Sequence, residues 1–170
     1  MDNFDLFLKH LDASQVWTWK AARLFQERGY HVQIPPVTKA KHVDEWEDHI
    51  DDGDLYISKE NLLNLRGVKP WYAPVAHRVE VKHRGVNFTC ADDFPYGKDG
   101  MFVCAKPAWD RATPKPWIFI CWNHKGTHYA VIKGSTSDQW GSIVRRDGRY
   151  VGYEQEFLCC PLDLVSFREI

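Results

Sequence analysis

Residues 75–83, with the sequence VAHRVEVKH, alternate apolar and polar side chains over the length of a β-strand. Successive side chains of a strand point to opposite faces of its sheet. Val79 and Val81 are therefore expected on one face, which we predict to be buried. Glu80 and Lys82 are expected on the other, polar face, where a carboxylate and an ammonium group lie two residues apart.

A second candidate strand lies upstream and begins with an acidic residue. Asp54 follows Gly53 and precedes the strand-like sequence LYI. If the two strands pair, Asp54 and Glu80 could together hold Mg²⁺, which prefers hard oxygen ligands. Lys82 would then lie beside the metal and could orient or deprotonate a water molecule. Without a metal, two carboxylates this close are expected to repel each other.

The other elements are predicted from apolar periodicity and from the positions of glycine and proline. Apolar spacing predicts a short helix over residues 3–11 and a second helix from Asp12 or Ser14 to Arg28, ended by Gly29. Further strands are predicted at Tyr30–Ile34, Met101–Cys104, Trp117–Trp122, His128–Ile132, Ser142–Arg146, Tyr150–Tyr153 and Phe157–Cys160, with a helical turn at Asn61–Leu65 and a loop at Lys69–Pro74. A helix followed by mostly neighbouring strands indicates an α/β protein of the mixed α+β kind, and the length indicates a single domain over residues 1–170.

Charge is distributed unevenly along the chain. Residues 44–60 hold eight acidic residues and one lysine, a net charge of −7, so with −1 for the whole chain the remainder carries +6. An acidic segment in an otherwise basic molecule could hold a divalent cation, and the positive charge of the remainder could attract a polyanion. The alternative is a solvated acidic loop beside ordinary surface lysines.

Cysteine usage and hydropathy indicate the cellular compartment. The 170 residues include five cysteines, an odd number, and no C-x-x-C pair, so a secreted disulfide framework is not expected. No stretch approaches the ~18 consecutive apolar residues of a membrane-spanning helix, and the N-terminus lacks a basic-then-apolar signal. We expect a soluble, cytoplasmic protein of a reducing compartment, with no membrane partner.

The order of these elements resembles the PD-(D/E)XK nuclease superfamily, which includes type II restriction enzymes and archaeal Holliday-junction resolvases. The resemblance covers about residues 12–104, in which a helix and a strand precede the Asp54 strand and the Glu80-Val81-Lys82 strand. It implies a restriction-endonuclease-like core, a central mixed sheet flanked by helices. It also implies that Asp54, Glu80 and the Val81 carbonyl bind the metal. The implied catalytic residues are Asp54, Glu80 and Lys82.

The activity implied by the resemblance is Mg²⁺-dependent hydrolysis of phosphodiester bonds in DNA, with Mn²⁺ able to replace Mg²⁺. The enzyme would be an endonuclease acting on structured or weakly sequence-defined DNA, with a homodimer as one form of assembly. The alternative is a non-catalytic module of the same fold that binds nucleic acid or a protein partner. Three positions depart from the family pattern. Gly53 replaces the motif proline. Many members have a glutamate in the first helix near the metal, and in this chain Gln15 or Asp12 occupies that neighbourhood. Residues 83–93 are short for the second long helix that is usual in the family.

Basic residues in two later segments could contact a phosphate backbone. One group flanks the turn of a predicted hairpin, and the other lies in a predicted loop. The first consists of Arg145, Arg146 and Arg149, and the second of Lys106, Arg111 and Lys115. The alternative is that these side chains are simply solvated.

A competing set of metal ligands is Cys121, His124 and His128, whose spacing could bind zinc together with Cys159 or Cys160. Cys121 lies in an apolar, strand-like run, where a buried free cysteine is more common. A nucleophile pair of Cys121 and His124 for acyl transfer has no recognisable third group to orient it.

Overall fold

The computed structural model describes residues 3–36, 53–60, 76–146 and 154–170. Within these ranges the chain forms two α-helices, nine strands and two short 3₁₀ segments. In chain order they are α1 (Asn3–Gln26), β1 (His31–Gln33), β2 (Leu55–Ser58), β3 (His77–His83), β4 (Met101–Ala105), α2 (Lys106–Arg111), β5 (Ile118–Trp122), β6 (His128–Lys133), a 3₁₀ segment (Gly134–Gln139), β7 (Gly141–Arg146), β8 (Glu154–Cys160), a second 3₁₀ segment (Leu162–Leu164) and β9 (Ser166–Glu169). This composition confirms the mixed α+β class.

The first helix, α1, is continuous over 24 residues, so the prediction of two helices meeting near Asp12 is wrong. No glycine or proline lies between residues 3 and 28, and one aspartate or serine does not interrupt the hydrogen bonds of a helix backbone. Gly29 closes the turn after the helix, as predicted. It has a φ of +75°, and its N–H donates to the Gln26 carbonyl at 2.9 Å.

The larger sheet has six strands in the order β1-β2-β3-β5-β6-β9. β3 pairs with β2 in antiparallel orientation and with β5 in parallel orientation, while the remaining neighbours are antiparallel. A parallel pair needs a crossover connection, and this one runs through β4 and the six-residue helix α2. In this fully described stretch, no second long helix lies between β3 and β5.

The two faces of the larger sheet are buried under different partners. Helix α1 covers one face, where Ala21 and Phe25 belong to a core with Val79, Val81 and Ile120. The other face is covered by an antiparallel sheet of three strands in the order β4-β8-β7. The second core contains Met101, Val103, Phe119, Cys121, Ala130, Ile132 and Cys160. The central sheet therefore lies between a helix and a second sheet.

Strand β3 has the predicted alternation, but its polar face is not open to solvent. Val79 and Val81 are buried, as expected, and the element that covers them is α1. Arg78 and Glu80 lie on the polar face and are buried too, at 1% and 6% exposure, while Lys82 is half-buried. The alternation predicted a polar face, and the structure buries two of its charged side chains.

The predicted hairpin after β7 differs in its second strand. β7 pairs with β8, which runs without a break from Glu154 and places Glu154 opposite Arg146. The predicted strand Phe157–Cys160 is the second half of β8. Strand β9 has no counterpart in the sequence prediction, because its alternation covers four residues only. Predicted elements that lie outside the described residues are Asn61–Leu65, Lys69–Pro74 and Tyr150–Tyr153.

Hydropathy of the helices bears on membrane association. In the part of the chain that the structure describes, no helix has the length and apolar character needed to cross a membrane.

Candidate active site

Asp54 and Glu80 are brought next to each other by the pairing of β2 with β3. Leu55 of β2 lies opposite Val79 of β3. Asp54 precedes Leu55 and Glu80 follows Val79, so the antiparallel register places the two acidic residues opposite each other at the start of β2. The strand pairing on which the predicted site depends is therefore present.

The Asp54 carboxylate is held by the backbone of β3. Its Oδ2 accepts a hydrogen bond from the Val81 N–H at 2.6 Å. Because a strand residue directs its N–H and its C=O to the same edge, the Val81 carbonyl faces the same side. The Asp54 carboxylate and the Val81 carbonyl, two of the three predicted metal ligands, thus lie at one edge of β3.

Glu80 lies between two cations on the polar face of β3. Its Oε1 accepts a hydrogen bond from Arg78 Nε at 2.8 Å and lies 2.7 Å from Arg78 Nη2. Its Oε2 lies 3.3 Å from Lys82 Nζ. The Lys82 side chain is 35% exposed, whereas the other two are nearly inaccessible. Repulsion between Asp54 and Glu80 is therefore offset within the protein itself, by two cations on one carboxylate and a backbone N–H on the other.

Gly53 leaves space for the Arg78 side chain. Its φ is +82°, a conformation that favours glycine, and a Cβ built on it would lie 2.7 Å from Arg78 Nε. Proline, whose φ is fixed near about −65°, could not adopt this conformation. The departure from the family's motif at residue 53 is thus coupled to the arginine that binds Glu80.

We expect Gly53→Ala to lower the free energy of unfolding by about 1–3 kcal/mol, because the added methyl group strains the backbone and meets the Arg78 side chain. Urea unfolding followed by tryptophan fluorescence measures the change. Gly85→Ala is the matched control, since a Cβ there meets no described atom within 4 Å. Equal stabilities of the two variants would show that the Arg78 conformation does not depend on a glycine at residue 53.

The two residues of α1 that were candidates for the place of the family's first-helix glutamate lie on the other side of the sheet. Asp12 and Gln15 belong to this helix, which packs on the valine face of β3. Glu80 and Lys82 point to the opposite face. The structure therefore brings Asp54, Glu80 and Lys82 together and leaves Asp12 and Gln15 across the sheet from them.

The three hairpin arginines have different surroundings. Arg145, on β7, forms an ion pair with Asp99 at 2.7 Å, and its guanidinium lies 5.1 Å from the centre of the Phe102 ring. Arg146 ends β7 at an exposed position. Arg149 lies outside the described residues.

The second basic group belongs mostly to a helix rather than to a loop. Lys106 and Arg111 are the first and last residues of α2. Lys106 Nζ lies 2.6 Å from Asp110 Oδ2, and this hydrogen bond raises the pKa of Lys106. Lys115 Nζ donates to the Asp110 carbonyl at 2.9 Å. Lys106 is thus already neutralised by a neighbour on its own helix.

The alternative zinc site finds no support in the described residues. Among them, no group of three or more His, Cys, Asp or Glu side chains is arranged to hold a metal ion. Cys121 is fully buried in the second core. Burial raises the pKa of Cys160 to about 11 and also raises that of Cys159, which favours the protonated thiols in the metal-free protein. The Asp54–Glu80 pair has two carboxylates and suits an ion that keeps several waters.

Arg84 is a charged residue near the site that the sequence prediction lacks. The ladder between β3 and β5 continues to it, since its N–H donates to the Trp122 carbonyl at 2.8 Å. Its Nη2 donates to the Phe102 carbonyl of β4 and lies 3.6 Å from Cys121 Sγ. Arg84 therefore extends the polar face of β3 to the junction of the two sheets. The sequence signal for it is the continued alternation E-x-K-x-R over residues 80–84.

Comparisons of the chain with protein-family models, with curated proteins and with solved structures give no match.

Proposed function

We propose that the chain is a Mg²⁺-dependent deoxyribonuclease of the PD-(D/E)XK type, in which Asp54, Glu80 and Lys82 carry the hydrolysis of a phosphodiester bond. The observation behind the proposal is the pairing of β2 with β3, which sets Asp54 opposite Glu80, with Lys82 Nζ 3.3 Å from the Glu80 carboxylate. The chain order α1, β1, β2, β3, followed by a strand parallel to β3, supports it as well.

The substrate in this proposal is DNA, cut internally at structured or weakly sequence-defined sites. A cytoplasmic, reducing location belongs to the same proposal and is supported by the five cysteines, all of which are free. A homodimer is the proposed assembly, carried over from the family resemblance.

The residues present fit a magnesium ion. Two carboxylates on neighbouring strands and one backbone carbonyl are hard oxygen donors. Mg²⁺ is usually bound by one or two carboxylates together with waters and substrate phosphates. Asp54, Glu80 and the Val81 carbonyl would hold it. When bound there, the ion would polarise the phosphoryl oxygen and lower the pKa of a bound water.

The protein's own side chains would supply orientation and proton transfer. Arg78 fixes the Glu80 carboxylate through two contacts to one oxygen, and the Val81 N–H fixes Asp54. Lys82 is partly exposed and lies beside Glu80. It can orient or deprotonate the attacking water and offset the negative charge of the phosphate. Side chains held by such contacts need little rearrangement when the substrate binds.

The second candidate is a non-catalytic module of this fold that binds nucleic acid or a protein partner. The buried Arg78–Glu80 ion pair favours it, because both Glu80 oxygens already face cations. In that case Glu80 and Lys82 stabilise the strand face and bind no metal. The two functions therefore differ in how the protein responds to divalent ions.

We expect Mn²⁺ or Mg²⁺ to raise the melting temperature of the wild-type protein and to be required for nicking of supercoiled plasmid DNA. A ligand that binds only the folded state stabilises it by about 2.7 kcal/mol at a hundredfold excess over Kd. Asp54→Asn removes one ligand charge and should lose most of this stabilisation together with nicking. Thermal melts in EDTA and in Mn²⁺, with nicking assays on the same samples, measure both.

The matched control for Asp54→Asn is Asp138→Asn, which changes an exposed aspartate of the 3₁₀ segment after β6. It should respond to Mn²⁺ as the wild type does. Equal metal responses of the two variants would contradict a metal site at Asp54. Identical melts of the wild type with and without Mn²⁺, together with no nicking, would favour the non-catalytic module.

A further inference from the structure

The polar face of β3 continues beyond Lys82 with Arg84. The hydrogen bond from the Arg84 N–H to the Trp122 carbonyl, at 2.8 Å, keeps Arg84 in the strand ladder. Residues two apart on a strand are about 6.6 Å apart. This spacing is comparable with the separation of successive phosphates along a nucleic-acid strand. Glu80, Lys82 and Arg84 thus form a row in which two positive groups follow the candidate metal ligand.

The Arg84 guanidinium is fixed in place, but its hydrogen-bonding capacity is not used up. Nη2 donates to the Phe102 carbonyl, whereas Nε is buried without a hydrogen-bond partner among the described residues. Buried donors in folded proteins are nearly always bonded, so this Nε is a donor with unused capacity. The side chain as a whole is half-buried at the junction of the two sheets.

Phe102 connects Arg84 with a second arginine. Arg84 binds the carbonyl of this residue, and the Arg145 guanidinium lies 5.1 Å from the centre of its ring. Both guanidinium groups therefore lie near the same point of the second sheet. Two guanidinium groups thus lie beyond Lys82, that of Arg84 and that of Arg145, and the second is paired with Asp99.

We propose that Arg84 binds the phosphodiester group next to the one held at Asp54, Glu80 and Lys82, and that the bound strand continues from there towards Arg145. The proposal rests on the proposed nuclease function and names the part of the site that binds the polynucleotide backbone. Arginine suits this role, because its planar guanidinium donates to a phosphate in a fixed geometry and stays charged.

The test measures DNA binding by Arg84→Gln, whose amide can still donate to the Phe102 carbonyl. Fluorescence anisotropy of a branched DNA duplex, in Ca²⁺ to keep the substrate intact, gives Kd at several salt concentrations. Kd should rise about tenfold, as for loss of a hydrogen bond to a charged group. The slope of log K against log salt should shrink by about 0.9 for the lost phosphate contact. In nicking assays, KM should rise more than kcat falls.

Arg168→Gln is the matched control, because it removes an exposed arginine from β9, three strands away from β3. Its Kd and salt slope should equal those of the wild type. A wild-type slope and Kd in Arg84→Gln would overturn the proposal. If that variant does not fold, Arg84→Lys takes its place. It keeps the charge and should raise Kd with little change in slope, and wild-type Kd in this variant would equally overturn the proposal.

The outcomes separate this proposal from the nuclease function itself. If the wild type binds DNA but does not nick it in Mg²⁺, the nuclease proposal fails, and the salt slope still decides the role of Arg84. If the wild type nicks DNA and Arg84→Gln has a wild-type slope and Kd, only the Arg84 proposal fails. Absence of any DNA binding by the wild type would overturn both.

Discussion

Lys82→Ala is expected to reduce the rate of DNA cleavage by about 10²–10⁴-fold and to leave the protein folded, since loss of a positioned proton-transfer group has an effect of this size. The Lys82 side chain is 35% exposed and lies 3.3 Å from Glu80. Its removal therefore still leaves Arg78 to bind the buried carboxylate. Single-turnover cleavage of plasmid DNA in saturating Mg²⁺ measures the chemical step apart from binding.

Two further lysine variants show whether the effect belongs to this position. Lys133→Ala removes an exposed lysine from the end of β6 and should cleave at the wild-type rate. Lys82→Arg keeps the charge but not the amine. A rate close to that of Lys82→Ala would indicate that proton transfer matters more than charge. Cleavage by Lys82→Ala at more than half the wild-type rate would remove Lys82 from the mechanism.

The largest effect on folding is expected for Arg78→Met. The substitution keeps an unbranched apolar side chain but leaves Glu80 buried without its guanidinium partner. Breaking a buried ion pair by removing one partner costs about 3–5 kcal/mol. Solvent screens this pair very little, because the two side chains are 1% and 8% exposed. Urea unfolding of the wild type and the variant gives the difference in free energy of unfolding.

Two comparisons test this explanation of the Arg78→Met effect. Arg78→Met/Glu80→Leu removes both charges and should be more stable than Arg78→Met alone, since no unpaired charge remains buried. Arg23→Met breaks an exposed pair with Glu27, whose side chains are 81% and 60% exposed, and should cost less than about 1 kcal/mol. If Arg78→Met were as stable as Arg23→Met, Glu80 would not depend on Arg78.

The strand that carries Glu80 and Lys82 could be predicted from sequence, because alternation is a local property of the chain. The burial of Val81 followed from the same pattern, whereas its cover by α1 is known only from the structure. The location of Asp54 depended on a condition, the pairing of two strands between which eighteen residues of the chain lie. Once that pairing forms, the register alone places Asp54 opposite Glu80.

The partner of Glu80 could not be predicted in the same way. Arg78 has the side-chain direction of a solvated strand face, yet it is buried beside Gly53, because a glycine with positive φ leaves the space. This arrangement depends on a long side chain from one strand and a backbone angle in another. The cover over this face of the sheet is equally non-local, since the second core includes residues of β4 and β8, later in the chain.

Strands β5 and β7 are expected to differ strongly in local stability. All five residues of β5 are buried, and it pairs on both sides, with β3 and β6. β7 pairs with β8 alone, and five of its six residues are exposed. Opening a segment costs little free energy where its hydrogen bonds are exposed and its apolar contacts are few. Opening the strand with Arg145 is therefore expected to cost less free energy than opening β3, which pairs with both β2 and β5.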